Sequence, residues 1–158
     1  MKLTGAVLVL LGGFAAFLDY SRTLRREVAL ISDLSGALTQ LAGEIRWKMI
    51  SLPEGIRGLA IRRESGKYFE NIVKRMGSNI TLQEAWCKEF SFLPKHISDI
   101  LCRMEWGGDV RRQEASILYA AERLTELGAS KRDARRQREK VFAAASFSVA
   151  GLLILILL

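Results

Sequence analysis

The chain has 158 residues, 49% of them hydrophobic, and its 24 basic and 17 acidic side chains give a net charge of +7. This composition excludes a disordered chain, because apolar and aromatic residues are too abundant, and the length favours one domain. The two cysteines form no CxxC pair, which argues against a zinc site or a disulfide framework and favours a reducing compartment for most of the chain.

The first predicted element is a transmembrane helix at residues 1–20. Residues 3–18 carry no charge, and a helix of that length covers about 24 Å of a hydrocarbon core about 30 Å thick. A cleaved signal peptide is the alternative. Arg22, Arg25 and Arg26 argue against it, because basic residues beside a membrane segment favour the cytoplasmic side.

The next predicted helix continues directly from this membrane segment. Apolar residues recur every three or four positions from Leu24 to Met49, which is the pattern of an amphipathic helix, and no proline interrupts them. Ser51 and Pro53 indicate the start of a second helix, which we expect to end near Glu64.

Three further short helices are predicted before the last one. The first contains Phe69 to Met76, the second follows a capping box formed by Thr81 and Glu84, and the third begins near Pro94. Apolar and polar residues do not alternate over more than a few positions, so we predict no strands.

The last predicted helix begins after Asp109, which we expect to cap it. Its predicted core stripe consists of Val110, Ile117, Leu118, Ala121 and Leu124. The helix continues into a second uncharged segment at residues 141–158, and the six basic residues in 131–140 place the preceding turns in the cytoplasm. The predicted fold class is therefore all-α: a cytoplasmic bundle of about six helices at 21–140 lies between transmembrane helices at 1–20 and 141–158, with both termini extracytoplasmic.

The sequence contains no recognisable catalytic or ligand-binding motif. His96, the only histidine, lies at a helix start without a nucleophile motif, which is typical of a capping or surface histidine. Cys87 and Cys102 are predicted to be small buried thiols. Phosphate-binding, dinucleotide-binding and zinc-protease motifs are absent from the sequence. We therefore predict no enzymatic activity, no cofactor and no metal.

The basic residues beside the two membrane segments are predicted to contact lipid headgroups. Each lysine or arginine near an anionic membrane contributes about 1 kcal/mol. Their position beside the membrane argues against nucleic-acid binding, although their charge would also attract phosphates. This basic belt consists of Arg22, Arg25, Arg26, Lys131, Arg132, Arg135, Arg136, Arg138 and Lys140.

Tryptophans and exposed turns are the candidates for partner contacts. Trp47, Trp86 and Trp106 favour the core, although Trp106 in a loop is equally suited to anchor a partner. Turns on a rigid helical scaffold are reasonable docking points. The predicted partner-binding residues are Ser51, Leu52, Pro53, Glu54, Trp106, Asp109 and Gln113.

Five short motifs occur in order along the chain: Lys2–Ala6, Leu41–Ile45, Ser51–Glu54, Gly108–Asp109 with Gln113, and Gly151–Leu155. Together they resemble the stage III sporulation protein AB family from end to end. The resemblance implies a component of the sporulation channel between mother cell and forespore, located in the mother-cell membrane. It also implies a cytoplasmic domain similar to type II secretion platform proteins, with a secretion-type ATPase and other channel membrane subunits as partners. Trp106 and the basic run Val110–Arg112 depart from the family pattern.

We favour a non-enzymatic platform that docks the ATPase or other channel subunits through the bundle. The alternative is a small membrane-bound enzyme or lipid-binding protein that uses the basic belt, which predicts a polar pocket near Arg22 and Lys140. A third hypothesis is a cytosolic adaptor, unrelated to sporulation, with a hairpin membrane anchor. Oligomerisation is compatible with all three.

Overall fold

The computed structural model describes the backbone of residues 2–78 and 80–157, and the side chains of residues 22–78 and 80–141. Within these residues it contains six α-helices, one 3-10 helix and no strand. The helices are α1 Lys2–Lys48, α2 Leu52–Gly58, α3 Gly66–Met76, α4 Leu82–Phe90, α5 Lys95–Cys102 and α6 Val110–Leu157, and the 3-10 helix is Leu59–Ile61. The all-α fold class and the number of helices are confirmed.

The helices α1 and α6 form a long antiparallel hairpin. Near the first α1 side chains that the structure describes, Lys131 Nζ of α6 lies 2.8 Å from Glu27 Oε1 of α1. At the other end, Arg46 Nη1 lies 3.0 Å from Glu114 Oε1. Since the residue number falls along α6 as it rises along α1, the start of α6 lies beside the end of α1. We call this the distal end of the hairpin.

Small and hydroxyl-bearing residues let the two long helices approach closely at the centre. A Cβ atom on Gly128 would lie 3.3 Å from Ile31 Cγ2, so a larger side chain would press against α1. Ser35 Oγ donates to the Ala121 carbonyl at 2.9 Å and lies 2.7 Å from Thr125 Oγ1. These hydrogen bonds satisfy a polar group that the hairpin buries.

The hydrophobic core lies between the hairpin and the four short helices. Helix α1 contributes a buried stripe that contains Ile31, Leu34, Ala37, Leu38, Leu41, Ala42 and Ile45. An aromatic cluster centres on the fully buried Trp86, whose ring lies 4.8 Å from Phe90 and 4.5 Å from Trp106 between centroids. Trp86 Nε1 donates to the Leu101 carbonyl at 3.1 Å, which links α4 to α5.

The half-buried Asp33 attaches the start of α3 to α1 through hydrogen bonds and an ion pair. Asp33 accepts hydrogen bonds from Ser65 N at 2.8 Å, from Ser65 Oγ at 2.6 Å and from Arg62 Nε at 3.1 Å. Burial by itself raises the pKa of Asp33, but the Ser65 hydrogen bonds and the charge of Arg62 outweigh it and lower that pKa. The folded state therefore favours the ionised carboxylate.

Two predicted helix boundaries are confirmed, and one is wrong. Thr81 and Glu84 form the predicted capping box, and α6 begins directly after Asp109. Helix α2 ends at Gly58 rather than near Glu64. The chain continues as the 3-10 helix Leu59–Ile61, and Ser65, which is hydrogen-bonded to Asp33, precedes a separate helix.

Four apolar residues predicted for the core lie at the surface, and one of them, Trp47, belongs to the distal part of α1 described below. Met49 follows the last residue of α1, and Val110 opens α6 at the distal end, beyond the core stripe. Leu118 follows the buried Ile117, and consecutive helical residues point about 100° apart. Helical periodicity therefore places only one of these two neighbours against α1.

The predicted transmembrane helices at 1–20 and 141–158 lie, except for Val141, outside the residues whose side chains are described. Within the described residues, no helix combines the length and apolar character needed to cross a membrane.

Candidate functional site

A groove of about 980 Å³ lies at the distal end of the hairpin, between the turn after α1 and the first turn of α6. We call it the distal groove. It is lined by Ile45, Arg46, Met49, Ile50, Ser51, Leu52, Asp109, Val110, Arg111, Gln113 and Glu114. The antiparallel pairing of α1 and α6 brings these two distant parts of the chain together.

Four of the seven predicted partner-binding residues line this groove. Ser51 and Leu52 lie on one side, and Asp109 and Gln113 lie on the other. Pro53 and Glu54, the next two residues of α2, are exposed but do not line the groove. The structure thus joins two turns that the sequence indicated separately.

Trp106 lies apart from the distal groove. Its ring packs edge-on against Trp86, and it lines a separate surface pocket of about 450 Å³ with Gln83 and Cys102. Its Nε1 atom is buried and has no hydrogen-bond partner among the described residues. The structure therefore places Trp106 at the edge of the aromatic core.

Sequence reasoning missed the exposed apolar residues in and beside the groove, of which Met49 and Val110 line it. Trp47 was predicted to lie in the core, but 79% of its surface is exposed, as are 89% of Met49 and 51% of Val110. Trp47 follows the core residue Ile45 by two positions, about 200° around the helix, so helical periodicity alone could have placed it outside. Large apolar side chains exposed together are typical of interaction surfaces.

Met49 has an unusual backbone conformation. Its φ angle is +49°, and it is the one non-glycine residue with a positive φ in the described part of the chain. A left-handed conformation costs about 1–2 kcal/mol for a residue with a side chain. Since Met49 also points into solvent beside the groove, the chain retains a strained turn at an exposed apolar residue, a feature that often marks a functional site.

Ion pairs and an aromatic contact organise the outer surface of the groove. Arg46 pairs with Glu114, and its guanidinium carbon lies 5.1 Å from the centre of the Trp47 ring. A second ion pair on α1, Lys48 Nζ at 3.7 Å from Glu44 Oε1, is not part of the groove lining. The arginine contact helps hold Trp47 in place while the ring stays exposed to solvent.

The basic belt occupies facing segments of α1 and α6. Arg22, Arg25 and Arg26 are exposed on α1. On α6, Arg132, Arg136 and Lys140 are exposed, as is Arg138, whereas Lys131 and Arg135 are half-buried. Lys131 pairs with Glu27, and Arg135 pairs with Glu139 at 2.8 Å. The belt therefore consists mostly of cations that point into solvent.

His96 belongs to a polar contact that links α5 to the hairpin. Its Nε2 atom lies 2.6 Å from Glu27 Oε1, which also accepts from Lys131. Burial raises the pKa of Glu27, but hydrogen bonds and positive charge from Lys131 and His96 outweigh it and lower that pKa. His96 also lines a cavity of about 340 Å³ with Arg103 and Tyr119. The surface interpretation of His96 holds, with a partner that the sequence did not reveal.

Cys87 and Cys102 contact each other between α4 and α5 and are half-buried rather than fully buried. Cys87 Sγ lies 3.6 Å from the Cys102 carbonyl, and Cys102 Sγ lies 3.8 Å from the Cys87 carbonyl. Burial and then the Cys102 thiol raise the pKa of Cys87 to about 11. Little thiolate is present at neutral pH, which does not favour a nucleophilic role. No group of three or more His, Cys, Asp or Glu residues in the described structure could hold a metal ion.

Comparison with known families gives a match over nearly the whole chain. The family model described as stage III sporulation protein AB matches residues 2–158. No curated protein and no solved structure matches the chain.

Proposed function

The chain belongs to the stage III sporulation protein AB family, and from this premise we propose that it is a non-enzymatic platform component of a sporulation channel complex. In this proposal the bundle docks a secretion-type ATPase or another channel subunit, and the hairpin links the docked partner to the mother-cell membrane. Oligomerisation is compatible with this arrangement.

The exposure of Met49 and Val110 in the distal groove, with the exposed Trp47 beside the groove residue Arg46, is the observation that supports docking. Aromatic residues, methionine and arginine are enriched in protein interfaces, and Arg46 lies against the Trp47 ring. A protein surface that never met a partner would expose these apolar side chains to water without a compensating contact.

The helical backbone supports a membrane-linked arrangement. Helices α1 and α6 are unbroken over residues 2–20 and 141–157 of the two segments predicted to span the membrane. In this proposal both termini are extracytoplasmic. From residue 20 to residue 48, α1 rises about 42 Å at 1.5 Å per residue. The distal groove would then lie deep in the cytoplasm, while the basic belt would lie at the lipid headgroups.

Site-specific photo-crosslinking in sporulating cells tests docking. A photo-reactive aromatic residue replaces Trp47 in the full chain, and captured proteins are identified by mass spectrometry. We expect capture of the secretion-type ATPase or another channel subunit. The same probe at Phe92, an equally exposed aromatic residue in the loop between α4 and α5, is the matched control.

Failure to capture a channel subunit from Trp47, with the protein correctly inserted, would contradict the docking proposal. A probe at Arg22 tests the membrane-bound enzyme or lipid-binding alternative. That alternative would be favoured if the probe captured lipid and if charge reversal of the belt abolished an enzymatic turnover. In the platform proposal, reversal of the belt charges disturbs membrane insertion or orientation.

A further inference from the structure

We infer that Cys87 and Cys102 form a reversible disulfide that joins α4 to α5 when the chain meets a low-molecular-weight disulfide. This pair of thiols is a redox modification site, separate from the distal groove and independent of the docking function proposed above. It differs from the disulfide framework that the cysteine count argues against. Disulfides in a reducing compartment are typically transient and redox-sensing rather than structural.

The two thiols face each other where α4 contacts α5. Cys87 Sγ donates to the Cys102 carbonyl at 3.6 Å, and Cys102 Sγ donates to the Cys87 carbonyl at 3.8 Å. A hydrogen bond between the two thiols also contributes to the raised pKa of Cys87. A disulfide requires two side chains that point toward each other from neighbouring backbones. The reciprocal contacts give both sulfurs that direction in the reduced chain.

Cys102 is the thiol that a reagent reaches from solution. It lines the surface pocket of about 450 Å³, whereas Cys87 is not among the residues that line that pocket. Cys102 is also the last residue of α5, and the next helix begins at Val110. The movement that brings the sulfurs to a bonding distance of about 2.0 Å therefore falls at a helix end, where a small shift breaks few backbone hydrogen bonds.

Gln83 holds the pair together on the side of this pocket. Its Nε2 atom lies 3.5 Å from Cys87 Sγ and 3.4 Å from the Cys102 carbonyl. Its hydrogen bond favours the Cys87 thiolate, but burial and the Cys102 thiol outweigh it and raise the pKa of Cys87 to about 11. Cys87 therefore reacts slowly with a reagent in solution. Its proximity to Cys102 lets it act second, within the same molecule.

The reaction consists of two successive thiol–disulfide exchanges. The Cys102 thiolate attacks one sulfur of the small disulfide, so that a mixed disulfide forms and the other half leaves as a thiolate. The Cys87 thiolate then attacks Cys102 Sγ and displaces the second half. The two protons lost by the cysteines go to the two released thiolates. The cysteine pair is thereby oxidised by two electrons, and the small disulfide is reduced to two thiols.

The fold should favour this bond. Trp86, the residue before Cys87, donates to the carbonyl of Leu101, the residue before Cys102, so a buried hydrogen bond already holds the two backbones together. In the unfolded chain the two cysteines are apart on average, and closing the segment between them costs conformational entropy. The folded chain should therefore oxidise more readily than the unfolded chain.

Equilibration with glutathione buffers of fixed oxidised-to-reduced ratio tests this inference. Samples of the full chain in detergent micelles are quenched with acid, free thiols are alkylated, and linked peptides are identified by mass spectrometry. We expect both thiols to disappear together and the peptides that contain Cys87 and Cys102 to be joined. The equilibrium constant should be at least about tenfold larger in the folded chain than in concentrated guanidinium chloride.

A matched control moves one thiol by a single position. The variant Cys102→Ser with Arg103→Cys keeps two cysteines at almost the same spacing, but position 103 is exposed and projects about 100° away from position 102. We expect its equilibrium constant to fall at least about tenfold below that of the wild type. In single variants, Cys87→Ser should stop at the mixed disulfide on Cys102, and Cys102→Ser should react much more slowly. Circular dichroism checks that each variant retains its helices.

Three results would overturn the inference: mixed disulfides on both cysteines without a bond between them, a disulfide that links two chains, or equal equilibrium constants in the folded wild type and the control variant. Equal values for the folded and unfolded wild type would also overturn it. This last comparison involves no substitution, so it decides the inference even where a variant fails to fold.

Discussion

Two regions of the molecule use the same residue type in opposite ways. In the aromatic cluster, Trp86 is fully buried, packs against Phe90 and Trp106, and donates its indole hydrogen to a carbonyl. Beside the distal groove, Trp47 has most of its surface in solvent and contacts the side chain of the groove residue Arg46. The first arrangement stabilises the fold, whereas the second leaves apolar area for a partner to cover.

The contrast predicts that stability and the proposed docking can be separated in this protein. Residues of the aromatic cluster contact several helices, so changing them disturbs the whole bundle. The apolar residues Met49 and Val110 of the distal groove have more than half of their surface in solvent. We therefore expect substitutions in the two regions to affect different measurements.

The largest expected effect comes from Trp86→Ala. Replacing a fully buried aromatic residue by alanine costs about 3–5 kcal/mol of unfolding free energy, because a cavity remains and the packing contacts are lost. This loss is measured by urea unfolding of the full chain in detergent micelles, with circular dichroism as the signal. A loss below 1 kcal/mol would contradict the central role of Trp86 in the core.

Asp33→Asn tests whether the polar contacts of Asp33 stabilise the fold, as the aromatic cluster does. The amide replaces a carboxylate that accepts hydrogen bonds from Ser65 and Arg62, so we expect a loss of about 1–3 kcal/mol at neutral pH. Capture of partners at the distal groove should not change.

The pH dependence of stability sharpens this test. Folding lowers the pKa of Asp33, whose ordinary value is 3.8. Its contribution is therefore complete above that ordinary value and disappears as pH falls through the lower folded value. Unfolding titrations between pH 6 and pH 2 should show a smaller loss of stability on acidification for Asp33→Asn than for the wild type. Equal slopes would show that Asp33 does not contribute in this way.

Met49→Gly should raise the free energy of unfolding and lower the crosslinking of channel subunits. Glycine tolerates a positive φ, and relief of the strained backbone outweighs the greater freedom of glycine in the unfolded chain, so we expect a gain of about 0.5–1 kcal/mol. Loss of the exposed side chain should weaken crosslinking of channel subunits from position 47. Met49→Ala, which retains the strain but also lacks the long side chain, is the control. A stability loss in Met49→Gly would refute the strain interpretation.

The smallest expected effect on stability comes from Trp47→Ala. Its side chain is largely exposed, so the free energy of unfolding should change by about 0.5 kcal/mol or less. Co-purification of channel subunits with the full chain from sporulating cells should nevertheless decrease at least tenfold. A result in which Trp47→Ala unfolds the protein and Trp86→Ala only weakens docking would reverse the assignment of the two regions.

Much of the local structure could be predicted from the sequence because it depends on neighbouring residues. Apolar spacing of three and four identified the long helices, and Thr81 with Glu84 marked the start of α4. The seven predicted docking residues included four that line the distal groove. The end of α2 was misplaced: the chain changes there to a 3-10 helix, and the residues that follow are held by Asp33, about 30 positions away, through contacts that no local pattern shows.

The sequence by itself determined the all-α fold class, the number of helices and most of their starting points, since periodicity and capping act within a few residues. Only the tertiary structure decided that Ser51 and Asp109 face one groove, that Glu27 joins His96 to Lys131, and that Trp47 is exposed while Trp86 is buried. These relations depend on the register of the antiparallel hairpin. That register depends on contacts between residues far apart in the chain, such as the buried Ser35 with Ala121 and Thr125, which no local pattern specifies.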